Sequence, residues 1–240
     1  MSSHNSVSWG FCITARKEAL LKEVQNKCVE QSGGRLNENN VIIVTGDIDE
    51  EGTCAAIAQQ TIKHLGRIDI LVNNAGTIGG GLQQNTPISQ FDFLMKTNLR
   101  SPVVLTQLCI PHLRKTKGTV VNVSSIAGVR SFSYASNYCI LKAALDMFTK
   151  CLALEMAPDG VRVNSVNPGV IDTPIFDKLG IFGKRREKYM EERRKSHPLG
   201  RNGTVDDVSE SICFLASSRA SFMTGNTTMV DGGRTCVCPR

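Results

Sequence analysis

Apolar residues along this chain fall into two alternating patterns. Short, continuous apolar runs rich in β-branched residues recur at 10–16 (GFCITAR), 41–47 (VIIVTGD), 68–73 (IDILVN), 119–124 (TVVNVS), 161–166 (VRVNSV) and 227–230 (TTMV). Each has the length and composition of a strand buried on both faces. Between them lie stretches of helical periodicity at 17–31, 50–65, 88–97, 99–114, 135–157 and 204–217. Strands that alternate with helices predict a parallel sheet covered on both sides, an α/β doubly wound fold. An irregular, charged segment over 170–203 interrupts the alternation. No internal repeat or linker divides residues 1–240, so they read as a single domain. Gly79-Gly80-Gly81 marks a loop after a strand; no helix opens directly behind it, so it is not a dinucleotide fingerprint.

Composition narrows the class. The 240 residues are 41% hydrophobic and 21% charged, ordinary values for a globular protein. No apolar run approaches the roughly 18 residues of a membrane span, and the first residues lack the basic start and apolar core of a signal peptide. The expectation is a cytoplasmic protein with no membrane partner. Of the net charge of +6, residues 184–195 (KRREKYMEERRK) supply +4 from seven basic and three acidic side chains. The interleaved acids point to a solvated helix face, and no nucleic-acid partner is expected. The nine cysteines are odd in number and mostly sit inside apolar patterns, which indicates reduced thiols. Cys236-Val-Cys238 has no partner cluster, so no metal site is expected.

The chemistry is concentrated near the middle. Tyr138 and Lys142 lie four apart in a helical stretch and share a face. There an ammonium can lower the pKa of a phenol, so that Tyr138 passes a proton near neutral pH. Ser125 stands thirteen positions upstream of Tyr138, at a strand end, and Asn98 lies between the two earlier helical stretches 88–97 and 99–114. Small residues at Asn74-Ala75-Gly76, also after a strand, let a bound molecule approach the backbone closely.

Taken together, and in chain order, Asp47, Asn73-Asn74-Ala75-Gly76, Asn98, Ser125, Tyr138-x-x-x-Lys142, Asn167-Pro168-Gly169 with Thr173, and Asp231-Gly232-Gly233 resemble the classical short-chain dehydrogenase/reductase family. The resemblance runs from about residue 8 to the C-terminus and is closest to the 3-oxoacyl-carrier-protein-reductase-like group. It implies a Rossmann-type fold. It implies that Tyr138 is the general acid/base and that Lys142 holds the nicotinamide ribose. Ser125 would bind the substrate oxygen, and Asn98 would kink its helix and hold a water in a proton relay. It further implies that Asp47 pairs with adenine beside the Ile48 backbone, that Asn74, Ala75 and Gly76 flank the ribose, and that Ile171 and Thr173 contact the carboxamide. Segment 170–203 would be a substrate lid, with Leu179, Ile181, Phe182, Tyr189 and Met190 as apolar cover.

Two departures shape the reading. Where NAD-preferring members carry an acid, this chain has Ala15 followed by Arg16. A guanidinium pairs with a 2′-phosphate that an acid would repel, which favours NADP(H) over NAD(H). The family's opening strand, glycine-rich phosphate loop and first helix have no counterpart. The expectation is a sheet lacking its first β-α unit, with two unpaired inner edges. The resulting function is an NADP(H)-dependent oxidoreductase interconverting a carbonyl and a secondary alcohol on a small-molecule substrate. The alternative is a catalytically inactive truncated isoform or pseudoenzyme acting through subunit association. In the family, helices matching 99–114 and 135–157 form the interfaces of homodimers or homotetramers; here they carry Leu105, Leu108, Leu145, Phe148 and Leu152.

Overall fold

The computed structural model describes residues 9–237. Strands β1 (Phe11–Ala15), β2 (Val41–Thr45), β3 (Ile70–Asn73), β4 (Thr119–Val123), β5 (Arg162–Pro168) and β6 (Thr227–Val230) are all parallel to their neighbours. They form two sheets, β1-β2 and β3-β4-β5-β6. β1 pairs with β2 in register Phe11↔Val41 to Ala15↔Thr45, and β3 with β4 from Ile70↔Thr119 to Asn73↔Asn122. Every predicted strand is present: β1 to β4 are trimmed by one or two residues, β5 runs on through Pro168 and β6 matches its predicted bounds.

Helices cover both faces. α2 (Glu51–Leu65), α4 (Ser101–Thr116) and α5 (Ser136–Met156) share one apolar layer. In it Val44, Cys54 and Ile57 pack with Leu71, Leu105, Leu113, Val120 and Leu152, so side chains from both sheets enter a single core. On the other face α1 (Glu18–Gln31) lies against β1 and β2. There α7 (Val205–Ala216) buries Leu215 against Val121 and Val166. α3 (Ile88–Met95) leads through a π-helical turn, Lys96–Arg100, directly into α4, where the sequence predicts two separate helices. Segment 170–203 is more regular than expected. It contains α6 (Gly183–Arg194), which matches the solvated helix face that the interleaved charges of 184–195 indicate and carries no apolar periodicity.

Between the two sheets lies a cleft of about 1410 Å³. Its walls are the free edges of β1 and β3, and residues of α2 and α4 form its floor. Among the described residues no strand joins β1 to β3.

The face of α4 and α5 that looks outward is not the predicted one. Leu105, Leu145 and Leu152 are buried in the chain's own core, and Phe148 packs against it. Leu108 is exposed, and the outward stripe of α5 is Ile140, Met147 and Leu154 at seven-residue intervals. Both faces of α5 are apolar, so periodicity alone does not separate core from surface.

α4 ends with Lys117 in the left-handed region, at φ 51 and ψ 46. Glycine adopts that conformation without the steric cost a side chain incurs. Lys117→Gly is expected to stabilise the fold by about 0.5–1 kcal/mol, read as a higher urea midpoint at unchanged slope.

Candidate functional site

The candidate site is built at the carboxyl ends of β3, β4 and β5, where open parallel sheets place ligands. A buried polar ladder fixes those ends. Asn73 Nδ2 donates to Asn122 Oδ1 at 2.8 Å and to Thr106 Oγ1 at 3.0 Å. Asn122 Nδ2 in turn donates to Thr149 Oγ1 at 2.8 Å, and that hydroxyl donates to Leu145 O at 2.9 Å. Strands β3 and β4 are thus tied to α4 and α5 by groups that water cannot reach.

Asn98 is fully buried in the π-helical turn. Its Nδ2 donates to Leu94 O at 2.9 Å, and its Oδ1 accepts from the Thr77 amide at 3.2 Å. A side chain bonded across its own turn accounts for the widened helix at the position where a kink is expected. Gly76 stands beside it. A Cβ there would lie 3.3 Å from Asn98 Oδ1 and 3.8 Å from Lys142 Nζ, which puts all three residues at one point.

Lys142, on α5, is 3% exposed. Its Nζ donates to Val123 O at 2.9 Å and lies 5.7 Å from the centre of the Tyr138 ring. Burial pulls its pKa down to about 8, against the upward pull of Asp146 one turn further on. Ser125 follows β4, and its Oγ accepts from the Ala127 amide at 3.1 Å. The same side chain hydrogen-bonds Tyr138. Burial pushes the Tyr138 pKa upward, and the Ser125 bond only offsets it. The predicted lowering by Lys142 is therefore not seen: the ammonium sits over the ring and is spent on a carbonyl, not on the phenolic oxygen. The four predicted catalytic groups nevertheless converge.

Behind them is a network that sequence reasoning missed. Asn167 Nδ2 donates to Ser125 O at 2.9 Å and to Asp146 Oδ2 at 2.8 Å. Ser165 Oγ lies 3.2 Å from Asp146 Oδ1 and 2.9 Å from Asn167 Oδ1. Desolvation raises the Asp146 pKa although these bonds oppose it. Gly128 closes the packing: a Cβ there would meet Asp146 Oδ2 at 2.2 Å. The available signal was an acid at i+4 from Lys142, on the apolar face of a helix.

The predicted adenosine-side residues lie apart from this centre, at the ends of β1 and β2. Arg16 Nη1 is 3.7 Å from Asp47 Oδ2, with Arg16 exposed and Asp47 half-buried. The Ile48 carbonyl accepts from Ser101 Oγ at 3.0 Å, which leaves that backbone fixed. Asn74 and Ala75 line the head of the cleft between the sheets. Ile171 bridges to Gly203, and Thr173 precedes a short 3₁₀ turn at Pro174–Leu179.

Segment 170–203 has its own apolar cluster of Val170, Phe176 and Ile181, with Leu179, Tyr189 and Met190 packed on it. Phe182, expected as cover, is exposed. Arg186 holds the segment together, with Nη2 2.6 Å from Asp172 Oδ1 and 2.8 Å from Thr173 O, and Nη1 3.1 Å from Asp177 Oδ1. His197 fastens its far end. Its Nδ1 lies 2.9 Å from Arg193 O, and its Nε2 accepts from the Val170 amide at 3.3 Å, which requires the neutral ring. Cys238 lies outside the described residues; among those described there is no group of three or more metal-ligating side chains.

Burial holds the His197 pKa below 6.5, as does Arg234, while the Arg193 carbonyl and Asp231 oppose the shift. A folded pKa below the unfolded one means that the unfolded chain takes up the proton first. Stability from this group is complete above about pH 6.5 and falls as pH drops towards the lower folded value. Urea midpoints at pH 7.5 and 5.5 are expected to show that loss, and His197→Gln should flatten it.

Comparison with known proteins bears on this arrangement. Residues 11–235 match the family model described as enoyl-(acyl carrier protein) reductase. The chain is 35% identical over 208 residues to the L-fucose dehydrogenase of Rattus norvegicus, covering 85% of this chain and 77% of that one. It is 36% identical over 215 residues to the 3-oxoacyl-[acyl-carrier-protein] reductase FabG of Thermotoga maritima, covering 89% and 84%. A solved structure of a gluconate 5-dehydrogenase from Burkholderia cenocepacia J2315, in complex with NADP and tartrate, superimposes with a TM-score of 0.83 at 25% identity, covering 95% and 86%. By family model, sequence relatives and fold, this chain belongs to the classical short-chain dehydrogenase/reductase family of oxidoreductases.

Proposed function

We propose that this protein interconverts a carbonyl and a secondary alcohol with NADP(H), using Tyr138 as the proton donor. The observation that carries the reading is the convergence of Ser125, Tyr138, Lys142 and Asn98 at the carboxyl ends of β4 and β3. The residues present suit a dinucleotide at its two ends. Gly76 leaves open the space beside Lys142, and at the far end Arg16 offers an exposed charge beside the half-buried Asp47. Where the phosphates would lie, at the head of the cleft, the described residues offer no glycine turn. The nicotinamide, when bound, supplies or accepts the hydride.

In this reading Ser125 and Tyr138 donate two hydroxyl hydrogen bonds to the substrate oxygen. Tyr138 gives up its proton as charge develops there, a role that suits a phenol kept protonated by burial. Lys142, held by the Val123 carbonyl, presents its remaining protons towards Gly76 and the ribose. Asn98 fixes the turn that sets this distance. Asn74 and Ala75 flank the ribose, the Ile48 backbone and Asp47 the adenine, and Ile171 and Thr173 the carboxamide. Segment 170–203 closes over the substrate. The exposed stripe Ile140, Met147 and Leu154 with Leu108 supports a homodimer or homotetramer through α4 and α5. Among the described residues no helix is long and apolar enough to cross a membrane. A cytoplasmic location is part of the proposal, supported by the buried free thiols of Cys54 and Cys109.

Two experiments test it. Tyr138→Phe keeps the ring and removes the proton; NADPH-dependent reduction of a carbonyl panel spanning 3-oxoacyl thioesters, sugars and simple ketones should fall by ~10²–10⁴-fold. A variant retaining more than about a third of the activity would remove Tyr138 from the chemistry. The pair Ala15→Asp with Arg16→Ala replaces an attraction for the 2′-phosphate by a repulsion. A charge-assisted bond is worth about 1.5–3 kcal/mol, so the NADPH/NADH ratio of kcat/KM should drop roughly tenfold or more. An unmoved ratio would make Arg16 a bystander.

A further inference from the structure

One carboxylate that the proposed reaction does not use joins the two ends of the proposed site. Asp49 lies in the loop between β2 and α2, two residues after Asp47. Its Oδ2 accepts from Thr97 Oγ1 at 2.6 Å, the length of a charge-assisted hydroxyl–carboxylate bond. Thr97 is buried in the π-helical turn and immediately precedes Asn98. The partners are 48 residues apart in sequence, so the bond exists only because the β2–α2 loop packs on that turn. Asp49 is not an ordinary helix cap. The N-cap of α2 is Glu50, and among the described residues the Asp49 carboxylate accepts from Thr97 and Ser101, not from the first amides of α2.

The bond is one link in a chain that crosses the site. At one end stand Arg16 and Asp47, where the adenosine is proposed to bind. Asp47 Oδ1 accepts from the Asp49 amide at 3.1 Å. The Asp49 carboxylate then accepts from Thr97. Next to Thr97, Asn98 Oδ1 accepts from the amide of Thr77, one residue after Gly76. Ser101 Oγ braces the same junction, 3.0 Å from Ile48 O and 2.7 Å from Lys96 O. At 3.4 Å from that hydroxyl, Asp49 Oδ1 is beyond the usual range, so Thr97 is the main partner of the carboxylate.

This arrangement controls the roll of the turn. Successive side chains on a helix point roughly 100° apart, so Thr97 and Asn98 grip different sides of it. Asn98 ties one side to Leu94 and Thr77. Bonds on one side leave rotation about that side open; a bond on a second side removes it. A π-helical turn departs from the regular hydrogen-bond ladder and needs such outside support to keep one orientation.

We propose that Asp49 is a positioning residue for this reaction: through Thr97 it sets the orientation of the turn that presents Asn98, from the loop that carries the adenosine contacts. The proposal rests on the functional reading of Asn98 and Asp47 given above. Loosening this bond leaves Ser125 and Lys142 in place, because their partners lie on β4, β5 and the turn after β4. The signature is therefore a lower kcat with the KM of the carbonyl substrate unchanged.

The test uses the full chain and two readouts. Thr97→Val keeps the shape of the side chain and removes the hydroxyl; Asp49→Ala removes the acceptor. Without cofactor or substrate, hydrogen exchange of the Thr77 amide, which Asn98 holds, should quicken roughly tenfold in either variant. Exchange in β5 should stay as it is in the unmodified chain. Thr97→Ser keeps the hydroxyl and should restore protection. The double variant should be no looser than either single one, because both remove the same bond. In NADPH-dependent carbonyl reduction, Thr97→Val should lower kcat roughly tenfold at unchanged KM, and Thr97→Ser should restore it. Unchanged exchange at Thr77, equal loosening of β5, additive effects in the double variant, or no rescue by serine would overturn the proposal. So would a quickened Thr77 amide with kcat intact. If the unmodified chain reduces no carbonyl, the functional reading fails by itself, and the exchange measurement still decides whether Asp49 holds the turn.

Discussion

The site depends on keeping one ammonium group out of water. Lys142 is buried to 3% exposure without a direct carboxylate partner, and burial alone would drive it towards the neutral form. The surroundings limit that effect rather than abolish it. The Val123 carbonyl accepts one hydrogen bond from the ammonium, and Asp146 contributes its field from one turn away on the same helix. Asp146 is in turn kept in place by Asn167 and Ser165 on β5. Asn167 also holds the backbone of Ser125. A proton-transfer group, its orienting serine and the lysine are therefore set by one network spanning β4, β5 and α5. Such a network is stiff because any unsatisfied member would be costly in a dry interior.

The same economy appears further along the sheet. Asn73, Asn122 and Thr149 replace part of what would otherwise be an apolar layer with amide and hydroxyl bonds. They fix the height at which Gly76 meets Asn98 and Lys142. On the far side of the cleft the constraint is reversed. There, among the described residues, no strand lies between β1 and β3, and a shared side-chain layer under α2 and α4 keeps the two sheets together. Side-chain packing holds the halves at a separation that backbone pairing would otherwise set.

The chain alone was sufficient to determine the order of strands and helices and the four groups of the candidate site. Continuous apolar runs separate cleanly from helical periodicity, and Tyr138 with Lys142 is a local pair that any helix brings to one face. The turn at Asn98 was legible through the family likeness, although its cause, bonds to Leu94 and Thr77, was not. Helix α6 was signalled only by the interleaved charges of 184–195, because its polar faces carry no apolar periodicity.

Tertiary structure decided what depends on contacts between distant segments. It put Leu105, Leu145 and Leu152 inward and Ile140, Met147 and Leu154 outward, a choice that a helix apolar on both sides does not encode locally. It seated Lys142 on a carbonyl, so that burial and not the nearby ammonium governs Tyr138. It joined Asp146 to Asn167, residues 21 apart in sequence whose bond exists only because α5 packs on β5. Sequence patterns report periodicity within an element. Desolvation and hydrogen-bond partners are properties of the space between elements, and there the packed fold alone sets them.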